Sequence, residues 1–129
     1  MFKRHVIKVA VLALAASAFG ADGEKQTAKA PITVVGYLRD AGCVHRYPEV
    51  SKPLPNGCLE ACVRAGSPLV ILSEDGRVYH PFSNQIPDKD VRKNLLPFAG
   101  KLVRVTGNVY ERGGSTAISV DRIEEAKQK

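Results

Sequence analysis

Three cysteines and a neighbouring histidine are the residues of this sequence best suited to chemistry. Cys58 and Cys62 stand four residues apart, so a helix would place both thiols on one face. Cys43 lies upstream of this pair, with His45 two residues after it. Thiolates and imidazole suit zinc and copper(I) in proteins. Cys43, Cys58, Cys62 and His45 could therefore form a tetrahedral metal site.

The same cysteines also allow a disulfide and one spare thiol. Oxidation is the default in an exported protein, and a bond from Cys43 to Cys58 or Cys62 would contribute roughly 3 kcal/mol in the chain-entropy model. A bond between Cys58 and Cys62, within one helical turn, would strain disulfide geometry. Redox-active thiols are a third possibility. The spacing matches neither the C-x2-C of common zinc motifs nor the C-x-x-C-H of c-type haem, so these interpretations stay open.

The first twenty residues have the pattern of a secretory leader. Three basic residues and no acid accompany an apolar run over residues 9–19, and residues 16–18 (Ala-Ser-Ala) supply small residues for a signal peptidase. The run is well short of the ~20 residues that a membrane span needs. We therefore predict a signal peptide over residues 1–21, a periplasmic or secreted location, and no membrane span after cleavage.

Cleavage also changes the charge of the protein. The full chain of 129 residues has 19 basic and 13 acidic residues and a net charge of +6. Removing the three basic residues of the leader leaves 16 against 13, a net charge of +3. Export and this weak charge disfavour a nucleic-acid partner. The sequence has no G-x-S-x-G, H-E-x-x-H or phosphate-binding glycine loop, which favours a protein that is not an enzyme.

Five strands and one helix must position the cysteines. Apolar and β-branched alternation predicts strands at 32–39, 68–73, 77–82, 101–111 and 116–123. Residues 88–98 predict a helix that Asp88 caps and Pro97 ends. Gly36 and Gly107 stand where long strands of a small barrel must bend. Because a helix between the third and fourth strands is typical of the OB-fold, we predict a mainly β, five-stranded OB-fold-like Greek-key barrel. Another small β-rich α+β domain is the competing interpretation.

The segment between the first two strands, residues 40–67, exceeds what a minimal barrel needs and holds all three cysteines. Its residues 58–65 predict a short helix that ends at Gly66. The insert would shape one mouth of the barrel, where OB-folds commonly bind ligands. The chain then divides into a signal peptide at 1–21, a disordered tether at 22–31, a domain at 32–123 and a charged tail at 124–129.

Four segments carry a resemblance to known proteins. They are GYLRDAGC at 36–43, CLEAC at 58–62 with the following Gly66-Ser67-Pro68, DGRVY at 75–79, and AGKLVRVTG at 99–107. In these segments the chain resembles a group of small exported bacterial OB-fold-like proteins with a cysteine-containing insert. The resemblance spans residues 32–123 and implies the fold and the compartment, but no reaction. In that group a histidine often stands three residues before the cysteine pair, where this chain has Pro55, which puts a shared histidine–cysteine metal site in doubt.

Two functions fit these features. The first is an exported OB-fold-like binding module for a small ligand or a protein partner, with its insert held by a disulfide or by zinc or copper. The second is a periplasmic thiol redox or metal-handling protein that uses Cys43, Cys58 and Cys62 as working groups. His80, on the third predicted strand, is expected to be an ordinary strand residue.

Overall fold

The structure is a computed structural model that describes residues 30–47, 49, 54, 57–87 and 91–127. Its elements are β1 (Ile32–Asp40), α1 (Ala41–Arg46), α2 (Cys58–Arg64), β2 (Leu69–Ser73), β3 (Val78–Phe82), α3 (Val91–Leu95), a 3-10 turn (Leu96–Phe98), β4 (Leu102–Arg112) and β5 (Ser115–Glu125). The predicted signal peptide, residues 22–29 of the predicted tether and the predicted cap Asp88 lie outside the described residues. Within the described part of the chain, no helix is both long and apolar enough to cross a membrane.

The five strands close into a barrel in the order β1-β2-β3-β5-β4. β1 pairs antiparallel with β2 and with β4, whereas β3 and β5 run parallel. This order, with α3 between β3 and β4 and a helical cysteine insert between β1 and β2, is that of an OB-fold-like Greek-key barrel. The predicted fold is confirmed.

The inward faces of the strands build the main core. The alternation predicted for β4 holds, since Val103 and Val105 are fully buried while Arg104 is exposed. Leu38, Ile71 and Ile118 join them from three other strands, as fully buried members of the same cluster. Burial of each such side chain contributes roughly 1.5–3 kcal/mol to the stability of the fold. The insert is therefore attached to a stable barrel.

Two glycines allow the backbones of neighbouring strands to approach closely. A Cβ atom on Gly107 would lie 1.7 Å from the carbonyl oxygen of Ser119, and one on Gly36 would lie 2.5 Å from that of Leu72. The register of β4 against β5 shifts between Thr106 and Gly107, as expected for a β-bulge. The predicted irregularity at Gly107 is therefore present, and at Gly36 the structure shows close packing between two paired strands.

β5 ends later than the sequence indicates. Glu124 and Glu125 extend the strand into the segment predicted to be a charged tail, and both pair with β4. Their carboxylates contact cations on the neighbouring chain segment, with Lys101 Nζ 2.8 Å from Glu125 Oε2 and an Arg104 nitrogen 3.1 Å from Glu124 Oε1. Facing opposite charges stabilise strand pairing, a tertiary effect that alternation alone does not reveal.

Helix α1 attaches the insert to the outer wall of the barrel. Val44 of α1 packs against the outward side chains Val70 and Leu72 of β2, forming a second small core. All five residues of β2 are buried as a result, because the barrel interior covers one face and α1 covers the other. The sequence pattern does not predict α1 and indicates only that these residues close the first strand.

Arg92 of α3 holds the C-terminal end of α2. Its guanidinium donates hydrogen bonds to the carbonyl oxygens of Val63, in the last turn of α2, and of Ser67, just beyond the helix. The insert is thus tied to the barrel at α1 and again at α3.

Replacing Arg92 with alanine should lower the free energy of unfolding by about 2 kcal/mol, because two hydrogen bonds to a charged donor are lost. Urea denaturation followed by circular dichroism measures this change. Lys93→Ala is the matched control, since Lys93 is exposed on the same helix and its loss should stay within about 0.5 kcal/mol. Equal effects of the two substitutions would show that Arg92 does not anchor α2.

Candidate metal centre

Cys43 is fixed on α1 by a helix cap. Asp40, the last residue of β1, accepts the backbone N–H of Cys43 with Oδ1 at 2.9 Å, and this bond starts the helix as an N-cap. Cys43 itself is only 4% exposed. The local sequence folds into a helix despite Gly42, because the cap and the burial of Val44 outweigh its low helix propensity.

Cys58 and Cys62 stand on the first and fifth residues of α2. Gly57 precedes the helix with φ 75°, a left-handed conformation that glycine adopts without strain. Both cysteines are half-buried. Their spacing of one helical turn, predicted from the sequence, directs both thiols to the side of α2 where Cys43 lies.

The structure brings the three thiols together. All three Sγ atoms lie within 4.8 Å of one another, and those of Cys43 and Cys58 are 3.8 Å apart. Two thiolates bound to one zinc ion at ~2.3 Å with a tetrahedral angle would be ~3.8 Å apart. The cluster therefore has the spacing of a metal-binding thiolate set.

The predicted disulfide is not formed. Cys43, Cys58 and Cys62 are all free thiols, and the 3.8 Å between the sulfurs of Cys43 and Cys58 is almost twice the ~2.05 Å of a disulfide bond. This distance fits a weak S–H···S hydrogen bond. Neither predicted pairing, Cys43 with Cys58 or with Cys62, is present in the structure.

Burial favours the protonated form of Cys43 while no cation is bound. It raises the pKa of Cys43 to about 12, helped by its hydrogen bond with Cys58 and by the nearby carboxylate of Asp40. The pKa of Cys62 is also raised, by desolvation first and then by the negative charge of Asp40. A bound cation reverses this balance, because its charge favours thiolates.

Asp40 joins the two parts of the insert. Besides capping α1, its Oδ2 accepts a hydrogen bond from the hydroxyl of Ser67, which follows α2. Burial alone would raise the pKa of Asp40, but the hydrogen bonds from Ser67 and Cys43 outweigh it and lower that pKa. The carboxylate is therefore ionised and held beside the thiols as a positioning group.

Replacing Asp40 with alanine should destabilise the protein by about 1–2 kcal/mol through loss of the cap. It should also weaken metal binding roughly 10-fold, as expected for a group that orients ligands. Thermal unfolding and chelator competition measure the two effects. Asp40→Asn keeps an acceptor oxygen for the Cys43 N–H and should cost less than alanine in both. If alanine and asparagine were equivalent, the cap would not position Cys43.

The buried positive charge of Arg39 interacts electrostatically with Cys43. Arg39 is 3% exposed; its guanidinium lies 5.2 Å from the ring centroid of Tyr37 and donates to the Glu49 carbonyl at 3.4 Å. Desolvation lowers the pKa of Arg39, while interactions with Tyr37 and Cys43 oppose that shift. Arginine stays charged in proteins, so it can offset the negative charge of thiolates.

The two histidines lie outside the thiol cluster. His45 is exposed on α1 two residues after Cys43, and residues two apart do not face the same side of a helix. The group of neighbouring ligand atoms in the described residues contains the three thiols and not His45. His45 as the fourth ligand is thus not supported by the structure. His80 is an exposed residue of β3, as expected for an ordinary strand residue.

A shallow cleft of about 360 Å³ lies beside α2. Leu59, Val63, Leu96 and Ala99 give it an apolar lining, flanked by Glu60 and Arg64. Leu59 and Val63 each follow one cysteine of α2 in sequence, so the cleft and the thiols share this helix. Ligand binding at the barrel mouth stays a prediction.

Sequence reasoning missed three residues that shape the site, namely Arg39, Asp40 and Ser67. The role of Asp40 could have been predicted from the sequence, because an aspartate three residues before Cys43 is a typical helix cap. The contacts of Arg39 and Ser67 depend on how the insert folds back and have no local signature. No protein-family model, curated protein or solved structure matches this chain.

Proposed function

We propose that this protein is an exported OB-fold-like module whose insert binds one soft transition-metal ion, zinc or copper, through Cys43, Cys58 and Cys62. The single observation behind the proposal is the approach of three thiols from two helices to within 4.8 Å. The signal-peptide pattern of residues 1–21 supports a periplasmic or secreted location.

The metal would join the two helices of the insert. Cys43 belongs to α1, which packs on β2, whereas Cys58 and Cys62 belong to α2, which Arg92 holds at its other end. Residues 47–57 between these helices form no helix or strand where they are described. Metal binding to such a set of ligands contributes directly to folding, so a loaded ion would stabilise the insert on the barrel.

Metal binding fits the thiols better than redox catalysis does. Reactive cysteines have lowered pKa values, because the thiolate is the nucleophile. Burial raises the pKa of Cys43 to about 12, and desolvation also raises the pKa of Cys62, which disfavours these two thiolates while no cation is bound. The proposed role is therefore binding of a metal rather than catalysis of thiol exchange.

Metal stoichiometry tests this function. The exported chain is purified from the periplasm without metal or reductant added, and its mass and metal content are measured before and after dialysis against zinc. We expect three thiols, one metal ion per chain, and unchanged stoichiometry in His45→Ala. A chain that is 2 Da lighter through a disulfide, or one that takes up no metal when reduced, would contradict the proposal.

A further inference from the structure

Among the residues that the structure describes, the cluster offers three ligands of one kind and no fourth. The insert contains only four other residues that could ligate a metal through a carboxylate or an imidazole: Asp40, His45, Glu49 and Glu60. The oxygens of Asp40 already accept hydrogen bonds from Cys43 and Ser67. His45, Glu49 and Glu60 are exposed, and none of the four belongs to the described group of ligand atoms around the thiols.

This ligand set fits zinc incompletely. Structural zinc sites are almost always closed by four protein ligands, whereas open sites with three use mostly histidine and carboxylate. Three thiolates without a fourth ligand belong to neither pattern. Copper(I) is a softer cation for which thiolates are preferred ligands, and three sulfurs around one ion suffice for it.

One buried cation near the thiols offsets part of the charge of an anionic complex, whereas the ionised carboxylate of Asp40 acts against it. Copper(I) with three thiolates carries a net charge of −2. Such a charge is costly in a poorly hydrated site unless a partner offsets it. Arg39 supplies a buried guanidinium that interacts with Cys43, and Cys58 and Cys62 remain half-exposed to water.

We infer that Cys43, Cys58 and Cys62 form a three-coordinate copper(I) site, an assignment that rests on the proposed metal-binding function and specifies its ion. Copper binds as the cuprous ion, so no electron is transferred. Each thiol gives its proton to solvent as its copper–sulfur bond forms. His45 takes no part in this site.

Competition and X-ray absorption test the assignment on the reduced, full mature protein under anaerobic conditions. The protein is first loaded with zinc and then given one equivalent of copper(I) as its bicinchoninate complex. We expect copper to displace nearly all the zinc. X-ray absorption at the copper edge should then show three sulfur atoms bound to the copper ion. His45→Ala should behave identically, and Cys62→Ser should reduce the sulfur count to two.

The possible failures are distinct. If zinc stays bound with three sulfurs and one nitrogen or oxygen while copper(I) remains with bicinchoninate, the copper assignment is overturned and the metal-binding function stands. If the reduced protein binds neither ion, both proposals are wrong. The X-ray absorption measurement on the unmodified protein decides these outcomes even if Cys62→Ser fails to fold.

Discussion

Replacing Cys62 with serine is expected to lower the affinity for metal at least about 100-fold, since loss of groups that merely orient ligands already costs 10–100-fold. A hydroxyl is a poor substitute for a thiolate toward a soft ion. Cys62 is half-buried and is not part of either core cluster, so the barrel should remain folded. Titration against a chromophoric chelator measures the affinity.

The control for this substitution lies on the same helix. Glu60 is exposed two residues before Cys62, and Glu60→Gln removes a charge of α2 without touching the thiols. It should change the affinity less than about 3-fold, the size of a surface electrostatic effect. If Glu60→Gln and Cys62→Ser weakened binding equally, the metal would be held by charge on α2 rather than by the thiols.

Gly107→Ala should destabilise the barrel by at least about 3 kcal/mol, more than the 1–3 kcal/mol typical of overpacked side chains. The added Cβ would lie 1.7 Å from the carbonyl oxygen of Ser119. Backbone atoms cannot move aside as a flexible side chain can, so β4 and β5 would have to separate at the bulge. The free energy of unfolding from urea denaturation gives the size of the effect.

Gly114→Ala is the matched control for Gly107. Gly114 lies in the turn between the same two strands, with φ 78° and no atom within 4 Å of an added Cβ. Alanine there should cost only about 1 kcal/mol, from the left-handed backbone conformation. A cost at Gly107 no larger than at Gly114 would show that β4 and β5 do not approach closely at the bulge.

The barrel could be predicted because its signals are local and repeated. Alternation along β4 and β5 and the position of α3 each follow from neighbouring residues, and together they indicate one topology. The placement of Cys58 and Cys62 on one face of a helix likewise follows from their spacing of four residues. These features needed no knowledge of distant contacts.

The remaining features depend on contacts between distant residues. α1 forms because Asp40 caps it and because Val44 finds Val70 and Leu72 on a strand 25 or more residues away. The sequence placed three thiols in one insert but could not say that they would meet as a free cluster, without a disulfide or His45. The hydrogen bonds from Arg92 to the end of α2 likewise join residues far apart in the sequence and could not be predicted from the residue pattern.

Protection of the thiols by metal tests the central claim most directly. The reduced, folded chain is treated briefly with an alkylating reagent, with and without one equivalent of metal, and the number of added groups is read from the intact mass. Cys43 is buried and should react slowly with or without metal. If one ion is held by Cys43, Cys58 and Cys62 together, metal should protect the half-exposed thiols of Cys58 and Cys62 at once, a chelator should restore both, and Cys43→Ser should abolish the protection. Unchanged alkylation in the presence of metal, or protection of one thiol alone, would contradict a shared three-thiolate site.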